Sequence, residues 1–353
     1  MLATMIHAAH DVRAEERPDP VLRAPGDAVV RVLAACVCGS DLWPYRGVTP
    51  TKAPHPIGHE LVGVVEEVGS EVTSARPGDL VVVPFSLSCG SCQACRAGFP
   101  SACAVVTFFG STDRDGHPVD GAQGERVRIP LAQHSLFPVG RSEADAEAAG
   151  LVPHLLALSD VMSTGHHAAV SAGVGAGDTV VVVGDGAVGL CGVIAARRLG
   201  AGRVVAMSRH ADRAALARDL GATDVVAERG DEGVAALRDL LGGDLADAAL
   251  ECVGTEQSMA QALGVVRGGG RVGFVGVPHG GANLPIRQLF GRNITVGGGM
   301  APARTHMATL LEDVLSGAIE PGRVFDVEMP LADVAEAYAA MDERRATKVL
   351  LRP

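Results

Sequence analysis

The 353-residue sequence is poor in aromatic side chains, with eight Phe, two Tyr and one Trp, and lysine is almost absent beside arginine. It also lacks positive charge: 41 acidic residues against 30 basic ones give a formal net charge of -11. Nucleic acid and anionic membrane surfaces call for clustered Lys and Arg, so neither is an expected partner. No stretch approaches the about 20 apolar residues of a membrane span, and the N-terminal segment has no basic region followed by a sustained apolar run. The expectation is a cytoplasmic protein with reduced thiols and small-molecule partners.

Hydrophobic residues make up 47% of the chain and glycine supplies 45 positions, which describes a folded Gly/Ala/Val-rich protein rather than a disordered or disulfide-stapled one. The length favours two domains, each able to bury its own core. Four of the eight cysteines fall in "CGSCQACRAGFPSAC", at Cys89, Cys92, Cys95 and Cys103. A reduced compartment weakens the disulfide reading, and no second cluster-like run or following Cys-Pro supports an iron–sulfur centre. Four unligated thiols are the bland alternative. The C-x2-C-x2-C-x7-C spacing fits one tetrahedral zinc with every position filled, a structural site closed to substrate.

The first ~150 residues contain short Val-rich segments, "AVVRVLAACV", "ELVGVVEEVG" and "DLVVVP", bounded by Pro-Gly turns, and predict a compact antiparallel domain. From about residue 177 the pattern becomes apolar strand, Gly-rich turn and Ala/Leu-rich helix, repeated through six strand candidates that end near Gly297. Such alternation predicts a doubly wound parallel sheet with right-handed crossovers. Two amphipathic segments, "THMATLLEDVLSGAI" and "LADVAEAYAAMDERR", close the chain as helices.

"VVVGDGAVGLCG" places Gly184-x-Gly186-x-x-Gly189 between a buried-strand pattern and a helix, the context of a dinucleotide turn. The first glycine permits the tight turn, the second admits the pyrophosphate and the third lets helix and strand pack closely. Ala187 and Val188 complete the turn, and Cys252 is assigned to the same cofactor site. About 20 residues on, where an acid would bond the adenosine ribose 2'-hydroxyl, the chain reads "VVAMSRHADR". Ser208 and Arg209, with Arg213 one turn on, do not repel a 2'-phosphate and offer guanidinium partners for it, so NADP(H) is expected over NAD(H). The competing reading of these arginines is a solvated helix start.

Upstream, "CVCGSDLWPYRG" and "HPIGHELVGVVEEVG" add Cys38, His59 and Glu60. A catalytic zinc needs three protein ligands and one open position, which mixed Cys, His and carboxylate sets supply. Taken singly, Cys38 reads as a core thiol and His59 as a structural histidine.

Together these motifs resemble the zinc-dependent alcohol dehydrogenases of the medium-chain dehydrogenase/reductase superfamily, over essentially the whole length. The family's zinc signature runs through Gly58-His59-Glu60, Gly63, Gly69 and Val72. The resemblance implies a GroES-like β-rich catalytic domain over 1–160 and 298–353, with the structural-zinc lobe at 89–103, and a Rossmann domain of six parallel strands over 161–297. It implies two zinc ions per chain, the catalytic one on Cys38, His59 and Asp160 with Glu60 behind it. Cys38 matches the family ligand rather than Cys36 because it precedes Gly39-Ser40-Asp41.

By the same matching Asp41 orients His59, Ser40 bonds the substrate oxygen, Thr164 touches the nicotinamide, Val275 and Val277 line its pocket, and Lys348 approaches the coenzyme phosphates. Where many members have a proton-relaying histidine, this chain has Trp43, which with Tyr45, Phe109 and His166 is expected to shape the substrate pocket. The implied reaction is hydride transfer between an alcohol, secondary or small primary, and NADP(H), by a homodimer or homotetramer. The rivals are a polyol or sugar dehydrogenase using NAD(H), a zinc-free quinone or enone reductase, and a non-catalytic module that binds zinc and NADPH.

Overall fold

The Val-rich segments of the N-terminal half pair as strands in a computed structural model that describes residues 1–50, 54–278 and 284–353. Ala28–Cys36 is the central one: eight of its nine residues are buried, so it reads as a near-continuous apolar run rather than an alternating one. It pairs antiparallel with Leu61–Val68, Arg126–Ile129 and Val349–Arg352 in a seven-stranded sheet. The inward residues of these strands and of Leu80–Val83, which pairs with Leu61–Val68, form one core that includes Val30, Val32, Leu61, Val65, Val81 and Val83. Each such side chain contributes roughly 1.5–3 kcal/mol on burial. A second core gathers Ile6, Val37, Leu42 and Tyr45 with Val334 and Tyr338 of the Val334–Asp342 helix, which returns late in the sequence.

The chain divides into two compact units, Met1–Asp160 with Pro302–Pro353, and Val161–Ala301. The second crossing lies at Pro302 rather than at the expected residue 298. The amide of Gly299 donates to Phe274 O at 2.8 Å, which keeps the intervening residues on the parallel sheet.

The Val161–Ala301 unit contains six parallel strands in the spatial order Asp224–Val226, Arg203–Met207, Thr179–Val183, Ala246–Glu251, Val266–Phe274 and Thr295–Gly298. This is the doubly wound order in which the first strand of the sequence sits at the centre and the strand order reverses beside it, the point where such sheets bind ligands. Val180, Val181, Val182 and Val183 are all buried, as a central parallel strand requires.

One charged group in the first unit fixes the loop of residues 113–118. Arg128, 2% exposed, donates from Nη1 to Asp27 Oδ2 at 2.8 Å and from Nη2 to Asp113 Oδ2 at 2.9 Å and Pro118 O at 3.0 Å. It thereby ties residues 113–118 to the central sheet. Burial acts to raise the Asp113 carboxyl, but the His117 amide and the Arg128 guanidinium outweigh it and hold the group below the usual carboxylate range. The stability contributed by Asp113 is therefore full above its unfolded pKa of about 3.9 and is lost as pH falls through the lower folded value. Arg128→Ala leaves two buried carboxylates without their cation and is expected to cost about 3–5 kcal/mol, read as a lower urea midpoint at neutral pH.

Candidate metal centre and coenzyme turn

Cys38 and Asp41 close a tight turn at the end of the central strand. The Asp41 amide donates to Cys38 O at 3.1 Å, and the Cys38 amide donates to Asp41 Oδ2 at 2.9 Å. His59 sits in a second turn, where Gly58 has φ +95° and a side chain at that position would lie 2.4 Å from Gln123 Cγ. Only glycine fits both demands. Asp160 follows the Val152–Leu158 helix. Three separate stretches of one unit thus converge.

The ligand atoms of Cys38, His59, Glu60 and Asp160 all lie within 4.8 Å of one another. Cys38 Sγ is 3.9 Å from Asp160 Oδ2, and His59 Nε2 is 3.4 Å from the same oxygen. A tetrahedral zinc with ordinary bond lengths would space a sulfur and an oxygen by about 3.5 Å, and a nitrogen and an oxygen by about 3.3 Å. Glu60 is fully buried; its Oε1 accepts from Lys348 Nζ at 2.7 Å, while its Oε2 has no hydrogen-bond partner among the described residues. An orphaned buried carboxylate oxygen beside Cys, His and Asp is the donor set that a divalent cation satisfies, so the residues fit zinc.

The orientation of His59 is fixed from behind. Asp41 Oδ1 lies 3.3 Å from His59 Nδ1, which assigns the proton to that nitrogen and leaves Nε2 free to bind metal. Asp41 Oδ2 also faces Gln123 Nε2 at 3.3 Å; the same amide nitrogen donates to Cys36 O at 3.0 Å, and Gln123 Oε1 accepts from Tyr338 Oη at 3.2 Å. Gln123 and Tyr338 are completely buried. Both escape sequence reasoning because nothing in "GAQGE" or "EAYAA" marks them; only pairing of distant segments brings them here. Phe85 is a third such residue, its ring edge on to His59 with centroids 6.5 Å apart.

The other cysteine set is also assembled. Cys92 Sγ lies 3.5 Å from Cys95 Sγ and 3.9 Å from Cys103 Sγ, which is 3.5 Å from Cys89 Sγ. A disulfide needs about 2.05 Å, and a tetrahedral zinc spaces its sulfurs by about 3.8 Å. All eight cysteines are free thiols, and the four in this lobe fit a fully ligated metal.

Two of the expected site residues turn inward. Lys348 does not present its amino group to solvent: it is 1% exposed, and Nζ faces Glu60 and Val37 O. Burial works against its charge, but the Glu60 carboxylate at 2.7 Å outweighs it and holds the amino group above the usual lysine range. Tyr45 is not a pocket residue either; it packs in the second core against Tyr338, with ring centroids 5.3 Å apart, and against His10. Phe109 rests half-buried on the first core. Ser40 and Trp43 are partly exposed on the turn and short helix beside Cys38.

In the other unit, Gly184–Gly189 joins the Thr179–Val183 strand to the Ala187–Arg198 helix. A side chain on Gly189 would strike Gly184 O at 2.0 Å, whereas one on Gly186 would meet nothing within 4 Å. The turn is closed by one glycine and open above the other, which is the cradle a pyrophosphate needs. Ala187 and Val188 begin the helix whose N-terminus faces that opening. Cys252 borders the turn, its amide donating to Val183 O at 3.0 Å. Val275 is buried and Val277 is 55% exposed. Thr164 and His166 lie on the Val161–Ser171 helix, and burial pushes the His166 imidazole down to about 4.

The ribose end departs from expectation. Ser208 occupies the strand end and is 3% exposed, but an acid is present after all: Asp185, from inside the Gly-rich turn, accepts from Ser208 Oγ at 2.8 Å and faces Arg213 Nη1 at 3.4 Å. The motif specifies glycine on either side of this position and leaves the position itself open, so nothing in the pattern marks the carboxylate. Arg209 is exposed.

Lys348→Met leaves Glu60 as a buried anion without its ammonium partner. A loss of about 3–5 kcal/mol in unfolding free energy is expected for this variant, and most of it should return in the Lys348→Met, Glu60→Gln double variant.

Comparison with known proteins agrees with this geometry. Residues 24–140 match the alcohol dehydrogenase GroES-like domain family, and residues 187–316 match the zinc-binding dehydrogenase family. Zinc-type alcohol dehydrogenase B of Aspergillus flavus is 33% identical over an alignment that covers 100% of this chain and 81% of that protein. Among solved structures, the alcohol dehydrogenase TADH from Thermus sp. ATN1 superposes with a TM-score of 0.90 at 32% identity, covering 100% of this chain and 99% of the other. A zinc-binding dehydrogenase from Sinorhizobium meliloti, bound to NADP, superposes with a TM-score of 0.81 at 26% identity, covering 100% and 99%. With a GroES-like domain, a Rossmann-like parallel sheet and both cysteine-containing donor sets in one chain, the protein belongs to the zinc-dependent alcohol dehydrogenase family of the medium-chain dehydrogenase/reductase superfamily.

Proposed function

We propose that the protein transfers hydride between a secondary or small primary alcohol and NADP(H), giving the ketone or aldehyde, and runs the reverse reaction by the same path. The observation that carries this reading is the division of labour between two donor sets. Cys89, Cys92, Cys95 and Cys103 can saturate a metal, whereas in the second set Glu60 is tied to Lys348, so that a metal held by Cys38, His59 and Asp160, with Glu60 behind it, would keep a position for substrate. A zinc ion on Cys38, His59 and Asp160 would supply the positive charge that makes an alcohol oxygen acidic near neutral pH and polarises a carbonyl in reverse.

The chain's own residues do the rest. Asp41, held by the Cys38 amide and Gln123, keeps the proton on His59 Nδ1. Ser40, one residue before Asp41, is assigned to bond the substrate oxygen and take its proton toward solvent. Trp43 cannot relay a proton as a histidine would, so Ser40 carries that step alone among the turn residues. The Gly184–Gly189 turn would hold the coenzyme's pyrophosphate, and the nicotinamide would supply the hydride chemistry.

Ser208, Arg209 and Arg213 support NADP(H), as does the bound NADP of the Sinorhizobium meliloti relative. The Asp185 carboxylate beside Ser208 favours NAD(H), the coenzyme of the second reading, a polyol or sugar dehydrogenase. A homodimer or homotetramer in the cytoplasm completes the proposal. Its support is apolar surface around the outermost strand of the parallel sheet, where Phe290 is 85% exposed, Ile286 67% and Met300 53%.

Initial rates over a panel of primary, secondary and polyol substrates with NADP+ and NAD+ test the reading. The expected result is turnover of secondary or small primary alcohols with NADP+, abolished in Cys38→Ser while NADPH still binds. Retained turnover in Cys38→Ser, or activity confined to polyols with NAD+, would contradict it.

A further inference from the structure

A dinucleotide turn needs its glycines and gives no reason for an acid between the first two of them. Asp185 nevertheless stands there, and the strand register explains where its side chain goes. Val183 lies opposite Met207 in the parallel pair. The residues just beyond these strand ends, Asp185 and Ser208, therefore emerge side by side. Asp185 Oδ2 accepts the Ser208 hydroxyl at 2.8 Å, and Oδ1 lies 3.4 Å from Arg213 Nη1, with the Asp185 side chain 12% and the Arg213 side chain 18% exposed. Arg209 has no hydrogen bond or ion pair among the described residues.

Two of the three groups suited to a ribose 2'-phosphate are thus engaged by a carboxylate. We propose that Asp185 sets the coenzyme selectivity of this chain, as acceptor for the 2'-hydroxyl of NAD(H) and as competitor with the 2'-phosphate of NADP(H) for Ser208 and Arg213. The inference rests on reading residues 184–213 as the coenzyme's adenosine-ribose site. A 2'-hydroxyl can donate to the carboxylate and leave the Arg213 pair intact. A 2'-phosphate, which carries up to two negative charges, must displace the carboxylate from Arg213 and remain close to it. At 12% exposure, solvent screens that repulsion only in part. Arg209 is free to meet the phosphate from outside, which is how an NADP preference survives the acid. Asp185 therefore works against Arg209 and Arg213, and the preference is the difference between them.

The Asp185→Asn variant removes the charge and keeps the shape and an acceptor for Ser208. Dissociation constants of NADP+ and NAD+, and of the fragments 2',5'-ADP and 5'-AMP, are measured by calorimetric titration of the wild type and the variant. The expected result is a shift of the NADP+/NAD+ affinity ratio toward NADP+ by about tenfold, the scale of one charge-assisted contact, with 2',5'-ADP gaining and 5'-AMP not. In an Arg213→Ala background the gain should shrink, because the group released by the substitution is absent. A ratio within about twofold of wild type in both Asp185→Asn and Asp185→Ser overturns the proposal, on the same scale. A wild type that binds NAD+ more tightly than NADP+ overturns the NADP reading instead; the role of Asp185 still stands or falls on the change in ratio.

Discussion

Everything around Cys38 follows from one electrostatic constraint: a thiol, an imidazole and two carboxylates share a buried space with their ligand atoms within 4.8 Å. Two like charges about 4 Å apart repel by about 4 kcal/mol even at an effective dielectric of 20. Lys348, one of only two lysines in the chain, bonds Glu60, and the remaining carboxylate of the set, Asp160, lies beside His59 and Cys38. The Glu60 oxygen that Lys348 does not reach has no hydrogen-bond partner among the described residues. Such a set is stable when it holds a dication, and the fold maintains it through backbone hydrogen bonds and a buried polar chain rather than by local packing alone.

That polar chain shows how far from the metal ligands the positioning extends. Tyr338, contributed by a helix near the C-terminus, donates to Gln123, which bonds Asp41, which orients His59. Each amide and carboxylate oxygen in it has a partner in the chain, so none can rotate without leaving another unsatisfied. The Arg128 clamp holds the loop that leads into Gln123, and Gly58 lets that segment approach the turn carrying His59. Stability and chemistry are coupled through these contacts, since the same hydrogen bonds serve both.

Much of this was legible in the sequence because it is local. The dinucleotide turn, the cysteine lobe, the six-strand alternation and the Cys38 and His59–Glu60 turns each lie within a short window whose residue types imply their chemistry. What was not legible depends on long-range pairing. Tyr45 resembles a pocket residue when seen beside Trp43, yet it turns into a core completed by Tyr338. Lys348 is a basic residue in a C-terminal strand region whose partner, Glu60, lies 288 positions away in sequence. Asp185 was in view inside the motif, but its neighbour Ser208 is set by strand register, which the sequence does not state.

The central claim is that the chain carries two metals with different duties, one saturated by cysteines and one open to substrate. Anomalous difference maps recorded above and below the zinc edge from crystals of the purified protein test it most directly. The account predicts two peaks per chain, one enclosed by Cys89, Cys92, Cys95 and Cys103 and one on Cys38, His59 and Asp160. A single peak in the four-cysteine lobe, from protein that oxidises an alcohol at full rate, would contradict it.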